Sequence, residues 1–242
     1  MGRQELPDCS HGTYVLICAI MQPTYLPWAG YFNLMAISDV FVFLDDVQFQ
    51  KNSWHNRNRI LLNQSAYWIT VPVKKSSLSQ TILTTAIDNG QSWRAKHLKQ
   101  LQQTYAKSPF SESVMEICQK IKVAKANNLA ELNIEIICWL IRKLGIDTEI
   151  ILSSEMAING QRTDRIIEIL TLLKADTYIS PVGSAEYLEE DLFVDKTTVE
   201  LLFQNYPVEP YPQYKADTFT SHLSIVDVVA NLGWGGAKEY VS

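Results

Sequence analysis

The chain has 242 residues, 47% of them hydrophobic and 19% charged, with a formal net charge of −5. That length fills one large domain, or a domain with a helical subdomain, and the composition is that of an ordinary globular protein. The acidic balance speaks against a general nucleic-acid coat, and no apolar run reaches the ~18 residues of a membrane span.

Cys9, Cys18, Cys118 and Cys138 lack CxxC or other metal-binding spacing, so no metal site is expected. Three of them sit in apolar strand or helix contexts, which suits small buried hydrophobes in a reducing, cytoplasmic setting. Met1–Gly12 is polar and has no apolar signal-peptide core. Residues 1–13 are read as a flexible extension and 14–242 as a single α/β domain, with a helical insertion at about 91–145.

Tyr14–Met21 is a continuous apolar run, the pattern of a strand buried on both faces in a parallel sheet. Pro23 and Pro27 stop it, Gly30–Ile37 reads as a short helix, and Asp39–Leu44 reads as a second buried strand. Strand, helix and strand make a βαβ unit, whose ligands belong at the carboxyl ends of its strands. Tyr67–Val73, at a sheet edge because of Pro72, and Thr81–Ile87 are expected to be further strands. Ser92–Tyr105, Ser111–Ala124 and Leu129–Leu144 read as helices, the last with Asn128 and Glu131 as a capping pair and Gly145 at its end. Alternation then resumes with strands at 148–152, 177–179 and 199–203 and helices at 163–173 and 221–232. The expected fold is a Rossmann-like, three-layer α/β domain with a parallel sheet.

Candidate chemistry concentrates in residues 20–60. A strand end leading into a helix N-terminus offers free backbone N–H groups, so Gln22, Pro23, Tyr25, Trp28, Gly30 and Tyr31 are candidate ligand contacts; Gly30 would allow close approach. The alternative is that the aromatics cap the core. Asp45 and Asp46 end the second strand, with Gln48 just beyond. Strand-end carboxylates can hold Mg2+, orient a ribose or act as a base, or they can simply close a solvated turn. Alternation sends the two side chains to opposite faces.

Lys51–Arg59, if extended, puts Asn52, Trp54, Asn56 and Asn58 on one face and Ser53, His55, Arg57 and Arg59 on the other. Lacking an apolar face, it is no ordinary core strand and suits an anionic partner. Lys51, Trp54, Asn56, Arg57 and Arg59 are therefore candidate binding residues, with Lys74 and Lys75 adding charge; a solvated basic loop is the alternative. His97 shares a helix face with Trp93 and is an acid–base candidate or a packing residue. Gly183, Ser184 and Tyr187 follow another strand end, where a Gly-Ser turn can bind an anion. Asp227, in an apolar helix, reads as a buried polar anchor or a site wall. GxSxG, Walker and HExxH motifs are absent, which argues against common hydrolases and P-loop enzymes.

The segments MQPTYLPWAGYF, FLDDVQFQKNSWHNRNRI, YISPVGSAEYL and HLSIVDVVANLG, in that order, resemble the WbqC-like proteins from about Val15 to the end of the chain. The resemblance implies a transferase in bacterial O-antigen or surface polysaccharide biosynthesis, moving an aminoacyl (glycyl) or similar group to an amino sugar or sugar nucleotide. A fainter similarity links the first βαβ unit to the pantothenate-synthetase-type nucleotidylyltransferases. There Trp28-Ala-Gly-Tyr31 stands in the place of HxGH, with aromatics in place of both phosphate-binding histidines. The implied ligand is phosphorylated or nucleotide-linked, with Asp45 or Asp46 taking an amine proton and Gln48 orienting the acceptor. A non-catalytic nucleotide- or sugar-nucleotide-binding protein is the alternative, and a single-stranded RNA contact is disfavoured by the acidity.

Overall fold

A computed structural model describes residues 15–74, 77 and 79–242. The expected extension, Cys9 and Lys75 lie outside the described residues. In chain order the elements are β1 (Ile17–Met21), α1 (Ala29–Ala36), β2 (Val40–Phe43), β3 (Arg57–Leu62), β4 (Ser65–Thr70), α2 (Trp93–Tyr105), α3 (Ser111–Val123), α4 (Leu129–Leu144), β5 (Glu149–Leu152), α5 (Arg162–Leu173), β6 (Thr177–Ser180), α6 (Ala185–Glu190), α7 (Phe193–Lys196), β7 (Glu200–Phe203) and α8 (Ile225–Val241).

Five strands form one parallel sheet in the order β5-β2-β1-β6-β7. Counted along the chain this is the 3-2-1-4-5 arrangement of a Rossmann-like sheet, with its reversal of direction between β1 and β6. Alternation sorts the strands' side chains between two cores. Ala19, Phe41, Phe43 and Ile179 pack with α1, α3, α4 and α8, whereas Cys18, Ile20, Val40, Val42 and Tyr178 pack with α5 and the short helices α6 and α7. The three layers follow from strands that are apolar on both faces.

The long excursion between β2 and α4 departs from expectation in two places. Tyr67–Val73 does not join the main sheet: β4 pairs only with β3 in a two-stranded antiparallel ribbon. Thr81–Ile87 is a turn region touched by isolated bridges, not a strand. Its threonines bond locally, Thr85 Oγ1 donating to the Thr81 carbonyl at 2.6 Å and the Thr81 N–H donating to Thr84 Oγ1 at 2.9 Å, and such bonds compete with a ladder. α4 is capped as read: Asn128 Oδ1 accepts from the Glu131 N–H at 2.9 Å, and Gly145 closes it at φ +65°.

α8 starts at Ile225 behind Ser224, whose hydroxyl accepts from the Val226 N–H. Its first part ends at Gly233 as expected, because the backbone there (φ +68°, ψ −178°) is not helical, and a second helical segment continues to Val241. Gly233 forms the kink between the two segments, and an added Cβ there would come within 2.7 Å of the Phe110 ring. Asp227 on this helix is a buried anchor. It accepts from Tyr105 Oη at 2.9 Å, Tyr211 Oη at 2.7 Å and Gln213 Nε2 at 2.9 Å. Burial raises its pKa, opposed by those three hydrogen bonds. Asp227→Ala strands two phenols and an amide, and is expected to lower the unfolding free energy by about 3–5 kcal/mol, read as a lower denaturant midpoint at constant slope.

Candidate functional site

The β1–α1 loop sits at the carboxyl end of β1 and is held by buried side-chain amides. Asn58 Nδ2 donates to the carbonyls of Tyr25 (3.1 Å) and Leu26 (2.9 Å). Asn133 Nδ2, from α4, donates to those of Pro23 (3.0 Å) and His55 (2.8 Å). The Tyr25 N–H donates to the Trp54 carbonyl at 3.1 Å. Leu26 is thereby kept at φ +45°, a conformation costing a β-carbon-bearing residue roughly 1–2 kcal/mol. These contacts seat the β3–β4 ribbon directly over the loop.

Pro23, Tyr25, Gly30 and Tyr31 are interior residues. Tyr31 Oη donates to the Gln22 carbonyl at 3.0 Å, and the half-buried Gln22 flanks it. The space above Gly30 is filled by the Trp28 indole, which a Cβ at that position would strike, so it is not left open for a ligand. Trp28 itself packs on His222 at 4.7 Å and Tyr206 at 5.7 Å between ring centroids.

Asp45 and Asp46 do not diverge. β2 ends at Phe43, so alternation no longer governs them, and both carboxylates converge on Ser153 beyond β5. Asp45 also accepts from the Ser154 N–H (3.0 Å) and Oγ (2.6 Å), and Asp46 pairs with Arg165 at 2.6 Å. Their lone pairs serve to tie the ends of β2 and β5 together. Gln48 is exposed and bridges to Thr81.

His97 is a buried packing residue. Its Nε2 faces the Thr70 carbonyl at 3.1 Å, which only accepts, so Nε2 carries the proton and Nδ1 accepts from Tyr25 Oη at 3.0 Å. Burial lowers its pKa to about 4, with a smaller opposing effect of the Thr70 carbonyl. His55 is likewise buried and lowered to about 4.

The basic segment is not extended throughout. Residues 51–56 turn, with Asn52 at φ +58°, and β3 begins only at Arg57. Asn56 is buried, its Nδ2 donating to the Val71 carbonyl, and Lys51 is exposed on the turn. Trp54 consequently lies on the arginine side. Arg57 stacks on Trp68 at 4.1 Å, and Arg59 lies 5.5 Å from the Trp54 ring and 5.8 Å from Trp68. Both tryptophans are exposed, at 44% and 37%. Arg59 Nη2 also donates to the His222 carbonyl at 3.2 Å, and His222 stands at φ +56°. Among the described residues no carboxylate pairs with Arg57 or Arg59.

The result is a continuous cationic and aromatic surface: Trp68, Arg57, Trp54, Arg59, His222, Trp28. It borders a cavity of about 500 Å³ walled by Trp68, Thr70, Trp93, Lys96 and His97, between β4 and α2. A second cavity, about 560 Å³, lies at the ribbon tip. Gly183, Ser184 and Tyr187 lie apart at the end of β6; Ser184 is buried and Gly183 faces open space. Among the described residues no cluster of three His, Cys, Asp or Glu is arranged to hold a metal.

Trp68, Tyr206 and His222 escaped the sequence reading. Trp68 joins the arginines only through the ribbon's register, which pairs it with Arg59. His222 had a signal, a histidine just ahead of the Ser224 helix cap.

A model of the WbqC-like protein family matches residues 22–239. The chain belongs to the WbqC-like family. A mycobacterial relative, "Uncharacterized protein Rv1507c" from Mycobacterium tuberculosis, is 32% identical over 227 residues, covering 92% of this chain and 96% of that protein. No solved structure matches. Among the described residues no helix is long and apolar enough to cross a membrane.

Two outcomes are expected. The unfolded chain takes up protons that folded His55 and His97 refuse, so their contribution is complete above pH ~6.5 and lost as pH falls toward 4. Each should remove about 3 kcal/mol of unfolding free energy across that window, measured by denaturant titration over a pH series. His222 is held below its ordinary pKa by burial first and by the Arg59 charge second, so Arg59→Met should raise its NMR titration midpoint.

Proposed function

We propose that this WbqC-like protein is a transferase that binds a phosphorylated or nucleotide-linked amino sugar and moves an aminoacyl (glycyl) or similar group onto its amine, in surface polysaccharide biosynthesis. One observation carries the reading: two arginines that have no carboxylate partner among the described residues stack on two exposed tryptophans beside the carboxyl end of β1. Guanidinium groups bind phosphate through paired N–H donors, and indole faces stack on a base or a sugar ring. The adjoining cavity of about 500 Å³ has the volume of a small-molecule site. Free Cys18, Cys118 and Cys138 agree with a cytoplasmic setting.

The second reading is a non-catalytic sugar-nucleotide-binding protein. It is favoured by Trp28 and Tyr31, which stand in the place of the phosphate-binding histidines of the nucleotidylyltransferases, the Trp28 indole closing the space over Gly30. Turnover of a bound sugar nucleotide separates the two.

The test is thermal unfolding against UDP-glucosamine, UDP-N-acetylglucosamine, UDP and ATP. A ligand at ~100 times its dissociation constant stabilises by ~2.7 kcal/mol, a shift of several degrees. The shift should vanish in Arg57→Ala and Arg59→Ala and shrink in Trp68→Ala, with the ligand-free transition of Arg57→Ala little changed. Shifts that survive both arginine substitutions would remove the ribbon from the model.

A further inference from the structure

We propose that His222 is the general acid–base of this site, its ring placed beside the arginine–tryptophan platform by Trp28 and Arg59; the proposal rests on the platform binding the acceptor. Proton transfer near neutral pH needs a titratable group that is reachable and not already committed. The other groups of that kind nearby are committed. Both ring nitrogens of His97 are hydrogen-bonded, and His55 is buried with its Nδ1 accepting from the Gln50 N–H. Asp45 and Asp46 are engaged by Ser153, Ser154 and Arg165. The Cys18 and Cys118 thiols are buried and their pKa values raised.

His222 differs on each count. It is the exposed one of the three described histidines, and it borders the platform directly. Three contacts hold it: Arg59 on its carbonyl, the Trp28 ring at 4.7 Å, and Ser221 Oγ at 2.9 Å from Nδ1. Its backbone is left-handed, at φ +56°, a conformation uncommon for a residue other than glycine. In the tautomer that donates Nδ1–H to Ser221 Oγ, Nε2 carries the lone pair that accepts the proton. The charged or titratable groups around the ring are Arg59, which disfavours the imidazolium, and Tyr206 across Trp28, whose pKa burial raises so that it stays neutral.

The step balances as follows. The neutral sugar amine attacks the acyl carbon of an activated donor of the thioester class. The C–N bond forms while the amine proton passes to Nε2. The C–S bond breaks with its electron pair on sulfur, and the imidazolium returns the proton to the thiolate.

The experiment uses the full chain with UDP-glucosamine and glycyl- or acetyl-coenzyme A, following free thiol and the mass of the amide. His222→Asn is the variant of choice, because asparagine tolerates the left-handed backbone. Turnover should fall ~10²–10⁴-fold while KM for UDP-glucosamine changes by less than about 3-fold, and the acid limb of the wild-type pH profile should disappear. Arg57→Ala should instead raise KM. Retained thermal stabilisation by UDP-glucosamine would show His222→Asn to be folded and loaded. Undiminished turnover in that variant overturns the role of His222 and leaves the platform standing. A wild-type chain that turns over neither donor overturns the transfer reaction and the acid–base with it.

Discussion

Buried backbone carbonyls must find donors, and the site of this protein depends on how that demand is met. The β1–α1 loop contains Pro23 and Pro27, cannot pair as a strand, and turns at Leu26 in a conformation that a leucine resists. Its carbonyls at Pro23, Tyr25 and Leu26 are taken up by the side chains of Asn58 and Asn133, which come from the ribbon and from α4. An unpaired carbonyl in that position would cost about 1–3 kcal/mol. The amides therefore do more than hold a loop. They fix where the ribbon sits, and with it the direction in which Arg57, Arg59, Trp54 and Trp68 face.

The placement of charge follows from the same arrangement. In a Rossmann-like sheet the helix after β1 usually offers its N-terminus to a phosphate. Here an indole covers that end, so the cationic donors exposed beside it are the guanidinium groups of the ribbon. The carboxylates that end β2 are engaged elsewhere. Asp46 is occupied by Arg165, and Asp45 by two serines. An uncompensated positive surface on a chain of net charge −5 is a local property, held in place by where the acids are spent.

Much of the fold was legible in the sequence, and the reason is periodicity. Tyr14–Met21 and Val40–Leu44 are apolar at every position, the pattern of a doubly covered parallel strand, and Asn128, Glu131 and Gly145 mark both ends of α4. The ribbon was not legible as a pair. Its turn is Asn63-Gln64, both at positive φ, with glutamine where a glycine would have announced the hairpin. Without that register Trp68 had no reason to be placed beside Arg59, and Trp54 was assigned to the wrong face because Asn52 breaks the extended run. The Thr81–Ile87 stretch looked like a strand because threonine favours strands in general, yet its hydroxyls close a local turn. His222 was visible as a residue, but its ring packs on Trp28, about 200 residues earlier, which no local pattern connects to it.

The bend at Gly233 reaches further than the helix it interrupts. It turns the last part of α8 so that the Tyr240 carbonyl accepts from Tyr206 Oη at 2.7 Å, Tyr240 Oη donates to the Glu209 carbonyl at 2.6 Å, and the Val241 carbonyl accepts from Asn33 Nδ2 at 3.2 Å. Tyr206 in turn packs on Trp28, which carries the His222 ring. The final helical turn is thus a brace for the loop that presents the histidine.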